Sequence, residues 1–217
     1  MIEFTTALKK DLKRWIAEGL IFEADSDLLQ VPIQMIPVGF SREIVYGYTV
    51  RSFAVDGFVA VPLANLDQIW RRPTDRMHHE EMRLMGRLDS LPEPPLRSSA
   101  PQSIVDYLDA IASDELVAID FAYDDESQFE RLGWITAIEE RAFADDDADD
   151  GADNDADEAA TEPVVTLRCV TGSGRIEDGL EEIDIVRITA VEIRSRYLEG
   201  YRRYFARVGR PPHVEPE

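Results

Sequence analysis

The chain is poor in the residues that most metal, disulfide and phosphate chemistry requires. Of 217 residues, one is cysteine and three are histidine. A single thiol, Cys169, excludes an intrachain disulfide and suits a reducing compartment. His78 and His79 are adjacent, whereas a helical metal site wants histidines three or four apart on one face. They read as a solvated helix face, and His213 lies in a proline-rich tail. No run of about 18 apolar residues occurs, so no membrane-spanning helix is expected. The N-terminus MIEFTTALKKDLKRWIAEGLIF has no apolar core of signal-peptide length. These scarcities together predict a cytoplasmic protein.

Lysine is also scarce, at Lys9, Lys10 and Lys13 only, against twenty arginines. Basic residues total 23 and acidic residues 44, for a formal net charge of −21. The excess is uneven: residues 1–100 carry a net −2 and residues 101–217 a net −19. Nucleic-acid affinity depends on neutralising phosphates, so this surface argues against nucleic acid. A basic protein is the more natural partner, because charge complementarity speeds encounter.

Periodicity places an opening helix over Leu8, Leu12, Trp15 and Ile16, capped by Thr5 or Thr6 and ended by Gly19. LLQVPIQMIPV (28–38) is β-rich, but Pro32 and Pro37 suggest an edge or irregular strand. EIVYGYTVRSFAV (43–55) reads as one strand with a bend at Gly47. Asp56-Gly57 reads as a turn, followed by strand FVAVPL (58–63), a tight turn ANLD, and a short strand QIWRR (68–72). A helix over 74–88, with Thr74 as N-cap, closes this half. DSLPEPPLRSSAPQS (89–103) has the composition of an exposed linker.

The second half repeats the plan. Ser103 caps a short helix to about Ala112, and strands follow at 115–123, 131–143, 163–171 and 180–185. A turn DIVR leads to a last strand, ITAVEIR (188–194), and a helix over 195–208. Both halves thus end in an apolar strand, a four-residue turn containing Asp, a short strand and a helix. This predicts an internal duplication. The expected organisation is an N-terminal unit (1–88), a linker (89–103), a second unit (104–210) and a tail (211–217).

Five short strands with a one-turn connector before the last resemble the small barrels of the SH3-like and Sm-like classes. Residues 115–205 also resemble a pattern in uncharacterised bacterial proteins, carried here by Gly133, Gly179, Ile185, Ile188, Thr189, Val191, Arg196 and Tyr197, with a fainter echo over 20–72. The resemblance implies a mainly β fold with flanking helices, built of two five-stranded barrels. It implies no catalytic residue. The RNA-contacting Asn and Gly pattern of Sm proteins is absent, so RNA binding does not follow from it.

Ten carboxylates lie between Asp145 and Glu162 with no basic residue among them. As an EF-hand loop with Gly151 at its position 6, the run offers Asp146 and Asp150 at positions 1 and 5 but puts Ala148 at position 3 and Asp157 where the bidentate Glu belongs. It reads instead as a solvated hairpin loop (144–162) between two strands. Gly172-Ser173-Gly174 lacks the Lys and helix of a phosphate loop and reads as a turn. Cys169 alternates with Val165 and Leu167 and has no histidine partner, which marks it as a core residue. Arg194, Arg196, Arg202, Arg203, Arg207 and Arg210 are expected to pair with the acidic body.

No catalytic residue, cofactor loop or metal cluster emerges. The expected function is a non-enzymatic interaction module, an adaptor or regulatory protein. A second expectation is an acidic, immunity-like inhibitor of a basic toxin or nuclease. Sm-like nucleic-acid binding is disfavoured by the charge. Trp70, Arg71 and Arg72 on the last strand of the first unit, with Arg202 and Arg203, are the candidate partner-binding residues.

Overall fold

A computed structural model describes residues 5–29, 31–97, 100–123, 127–142 and 161–208. The acidic run, apart from Thr161 and Glu162, lies outside them, as do Arg210, His213 and the tail.

Helix α1 (Thr6–Glu18) begins where the Thr5 hydroxyl accepts the amide of Leu8 and ends at Gly19. Strands β1 (Phe22–Asp25), β2 (Ile33–Phe40), β3 (Ile44–Arg51) and β4 (Ala54–Pro62) follow. A 3-10 turn (Leu63–Asn65) precedes β5 (Gln68–Trp70), and helix α2 (Pro73–Leu84) completes the half. The second half runs α3 (Ile104–Ala110), β6 (Val117–Ala122), β7 (Gln128–Ala142), β8 (Thr161–Val170) and β9 (Ile176–Asp184). A second 3-10 turn (Ile185–Arg187), β10 (Ile188–Ile193) and α4 (Arg196–Val208) close it.

Among the described residues the fold is mainly β with four helices, and the ten strands join one antiparallel sheet ordered β5-β1-β2-β3-β4-β10-β6-β7-β8-β9. Each half contributes five neighbouring strands in the order fifth, first, second, third, fourth. The sheet crosses from one half to the other where β4 meets β10.

Several local expectations are corrected. The 43–55 segment is two strands, reversed at Ser52-Phe53, where both residues have positive φ (51° and 58°). Asp56-Gly57 is no turn but lies inside β4. The cap of α2 is Arg72, whose amide the Asp75 carboxylate accepts at 2.6 Å. β2 is interior, between β1 and β3, and accommodates Pro37 at a break in register between Pro37 and Gly39. That irregularity frees the ladder from the amide that proline lacks.

One core spans both halves. Ile36, Tyr46, Phe58 and Ala60 from the first join Val117, Ile119, Leu167, Cys169, Val191 and Ile193 from the second, with Tyr107 and Leu108 of α3. The 89–103 segment runs beside it: Leu91 and Leu96 pack on this core, and the Tyr48 hydroxyl donates to the Pro92 carbonyl. A second core lies under α1 (Leu12, Trp15, Phe22, Val59, Val61) and a third under α4 (Ala118, Trp134, Leu198, Phe205).

Candidate interaction site at the sheet joint and the sheet ends

The joint between the halves is short and specific. Val191 lies opposite Ala60, Glu192 opposite Val59 and Ile193 opposite Phe58. All six residues except Glu192 are apolar and buried. Gly57 permits this approach. Its φ is +108°, and a Cβ there would stand 2.9 Å from the Ile193 carbonyl oxygen and from Ser195 Cα, closer than such atoms tolerate.

Polar side chains lock the joint. Asp56 Oδ1 accepts the backbone N–H and the Nε of Arg196, each at 2.9 Å. Arg51 lies 3.5 Å from the Glu192 carboxylate and 3.9 Å from that of Asp56. The Thr49 hydroxyl reaches both the Asp56 carbonyl and the Glu192 carboxylate. Asn65 Nδ2 donates to the Ile188 carbonyl at 2.7 Å. Burial acts to raise the Asp56 carboxyl, but hydrogen bonds and charge from Arg196, with Arg51 behind, hold it below the ordinary aspartate value.

Beside the joint the balance is reversed. Asp120 on β6 faces Glu130 on β7 across the ladder. Burial, then the charges of Glu130 and Glu192, raise Asp120 to about 7, with Arg51 in partial opposition. Burial raises Glu192 as well. This is a desolvated carboxylate group with too few cations.

The two ends of the sheet differ from its middle. Among the described residues, β5 pairs only with β1 and β9 only with β8. At the β5 end, the Arg72 guanidinium lies 4.2 Å from the Trp70 ring centroid and bridges Glu23 at 2.5 Å, while Trp70 Nε1 donates to Glu23 at 3.2 Å. Arg71 Nε donates to the Ile21 carbonyl at 3.1 Å. The β9 end carries Glu177, Asp178, Glu181 and Glu182, with Leu180 half exposed among them. Arg131 holds Glu181 at 2.7 Å and Arg141 holds Glu182 at 2.8 Å.

Trp70, Arg71 and Arg72 therefore form one cluster at the sheet end. Arg202 and Arg203 belong to another element, α4. Arg202 bridges Glu115 at 2.9 Å and Glu199 at 3.1 Å, and Arg203 Nε donates to the Glu199 carbonyl. Arg194 and Arg196 likewise pair with Glu115 and Asp56. His78 is tied to Gln34 at 2.8 Å, and Gln34 in turn to Asp75.

Cys169, Glu177 and Glu181 bring three donor atoms within 4.8 Å of one another. The cluster is ill suited to a cation. Arg131 already neutralises Glu181, and burial with the Glu181 charge pushes the Cys169 thiol up to about 12, so it keeps its proton.

Sequence reasoning missed Asp56, Glu115, Asp120 and Glu192. One signal was available: Asp56-Gly57 recurs as Asp178-Gly179 at the same place before a one-turn connector. No family model, curated protein or solved structure matches the chain.

Proposed function

We propose that the chain is a cytoplasmic, non-enzymatic protein-interaction module. In this reading two small SH3-like or Sm-like barrel units, derived from one duplicated ancestor, share a sheet. The repeated strand order supports the duplication, as does an offset of 122 held from the fourth strand through the 3-10 turn to the fifth strand (57 to 179, 63 to 185, 69 to 191).

The observation that carries the function is the pair of open sheet ends. A terminal strand presents unpaired backbone donors and acceptors, which is the chemistry of β-strand addition. The acidic residues of β9 favour a partner with basic residues beside its own strand. An inhibitor of a basic toxin would be one case of this chemistry, whereas the same carboxylates repel a phosphate backbone.

The test is a photoreactive amino acid at Leu180, in cells. The expected result is a discrete protein adduct formed by the Leu180 probe and absent from a probe at Glu93. Absence of any Leu180-specific adduct would overturn the reading.

A further inference from the structure

The internal joint is heterologous: it brings the fourth strand of one unit against the fifth strand of the other. What remains unpaired at the sheet ends, among the described residues, is again one fourth strand, β9, and one fifth strand, β5. A contact of this kind leaves the same two surfaces free after each addition. We infer that β9 of one copy pairs antiparallel with β5 of a second copy, so that the chain assembles head to tail with itself. This names the partner for the interaction reading above and rests on it.

Three further observations carry the inference. The first is Gly179. Its counterpart Gly57 is required at the joint because strand β10 and the start of α4 come within 2.9 Å of where a Cβ would be. Gly179 has no positive φ, and a Cβ there would meet nothing within 4 Å. Nothing in its own half demands glycine, and in the inferred contact a neighbouring β5 would come beside it as β10 comes beside Gly57.

The second is Asp178. Its counterpart Asp56 is buried and takes the backbone N–H at the start of α4. Asp178 has a side chain 95% exposed, with one ion pair to Arg175 at 3.5 Å. In an end-to-end contact it would stand before the start of α2, the helix that follows β5 as α4 follows β10.

The third is charge. Beside the Arg131–Glu181 and Arg141–Glu182 pairs, β9 presents Glu177 and the exposed Asp178, and β5 leads into Arg71 and Arg76. Shifting the joint register by 122 places Ile69 opposite Glu182, Trp70 opposite Glu181 and Arg71 opposite Leu180.

Two measurements test this on the full chain. In the first, Ile69→Cys and Glu182→Cys variants are mixed under mild oxidation. A disulfide-linked pair should form in the mixture and not in either variant alone, since Cys169 is buried. In the second, sedimentation velocity follows concentration-dependent assembly of the wild type and of Gly179→Val. Valine suits an exposed strand and leaves the chain folded, but it fills the approach space and should weaken assembly by at least about tenfold. A wild type that stays monomeric, or like-with-like crosslinks equal to the mixed one, would overturn the self-pairing. If the chain is monomeric yet the Leu180 adduct is a different protein, the interaction reading survives and self-pairing does not. If neither appears, both fail.

Discussion

Asp56 and Arg196, 140 residues apart, share a single carboxylate oxygen: Oδ1 of Asp56 takes both the main-chain N–H and the side-chain Nε of Arg196. The contact ties strand β4 of the first half to the first turn of the last helix. Asp56→Ala leaves that part-buried N–H without its acceptor and removes a buried carboxylate from an exposed guanidinium, which costs about 1–3 kcal/mol. Urea unfolding should show a lower midpoint for both halves together. Because the folded carboxyl lies below its ordinary value, the contribution is present above pH 4 and fades as pH falls through the acid range. The variant should therefore converge with wild type in acid.

Asp120 predicts the opposite slope. Its folded value of about 7 lies well above that of an unfolded aspartate, so the folded state holds a proton the unfolded chain has released. That contribution is complete below about pH 4 and is lost as pH rises toward 7, on the order of 4 kcal/mol at most. Asp120→Asn mimics the protonated group. Denaturation across pH 4–8 should show a flatter profile and a more stable variant at pH 8, with Glu192 leaving a smaller residual slope. An unchanged slope would refute the assignment.

Gly57→Ala should destabilise by about 1–3 kcal/mol, since alanine disfavours the left-handed backbone and its Cβ meets Ile193 and Ser195. Gly179→Ala, its counterpart, should change monomer stability by less than about 0.5 kcal/mol. Parallel thermal melts at low concentration compare the two.

Cys169 should resist alkylation. It is 1% exposed and its thiol is held at about 12, so at pH 8 the reactive thiolate is scarce. Iodoacetamide labelling followed by mass should find an unmodified native chain and rapid modification in denaturant. Fast labelling of the native state would contradict this packing.

Deleting residues 145–160 and closing the chain with a short Asn-Gly turn should leave the fold intact. Strands β7 and β8 are paired out to Ala142 and Thr161, and shortening a loop changes closure entropy only slightly. Circular dichroism and melting should match wild type within about 1 kcal/mol. Unfolding of the second half would show that the acidic run supports it.

The sequence and the structure agree wherever a local rule suffices. Thr5, Gly19 and Ser103 delimit helices because their own side chains or backbone satisfy the helix ends. The Val165, Leu167, Cys169 alternation reports a buried face because strand period is two. Where the determinant is a distant segment, the local signal misleads. Asp56-Gly57 has the composition of a hairpin turn, but here Asp answers Arg196 and Gly answers the closeness of β10. The true reversal, Ser52-Phe53, has positive φ at both residues yet carries none of the Gly, Asn or Asp that favour it. Trp70, Arg71 and Arg72 do gather at a sheet end, but the expected strand over 68–72 stops at Trp70, and Arg72 caps α2 instead. Arg202 and Arg203 lie elsewhere because α4 turns them toward Glu115 and Glu199. Asp120 sits in an otherwise apolar stretch, and only the arrival of β7 and β10 gives it its carboxylate neighbours.

The last strand made is the one at the centre. β10 ends at residue 193, yet it fills the gap between β4 and β6. During synthesis, β4 is complete by residue 62 and must wait for a further 131 residues before its neighbour emerges. At ribosomal speeds of about 10 residues per second, this is a delay of about 13 s. For that interval the apolar edge at Phe58, Val59 and Ala60 faces the cell without its cover. A nascent chain stalled anywhere before residue 188 is therefore the form of this protein most in need of a chaperone.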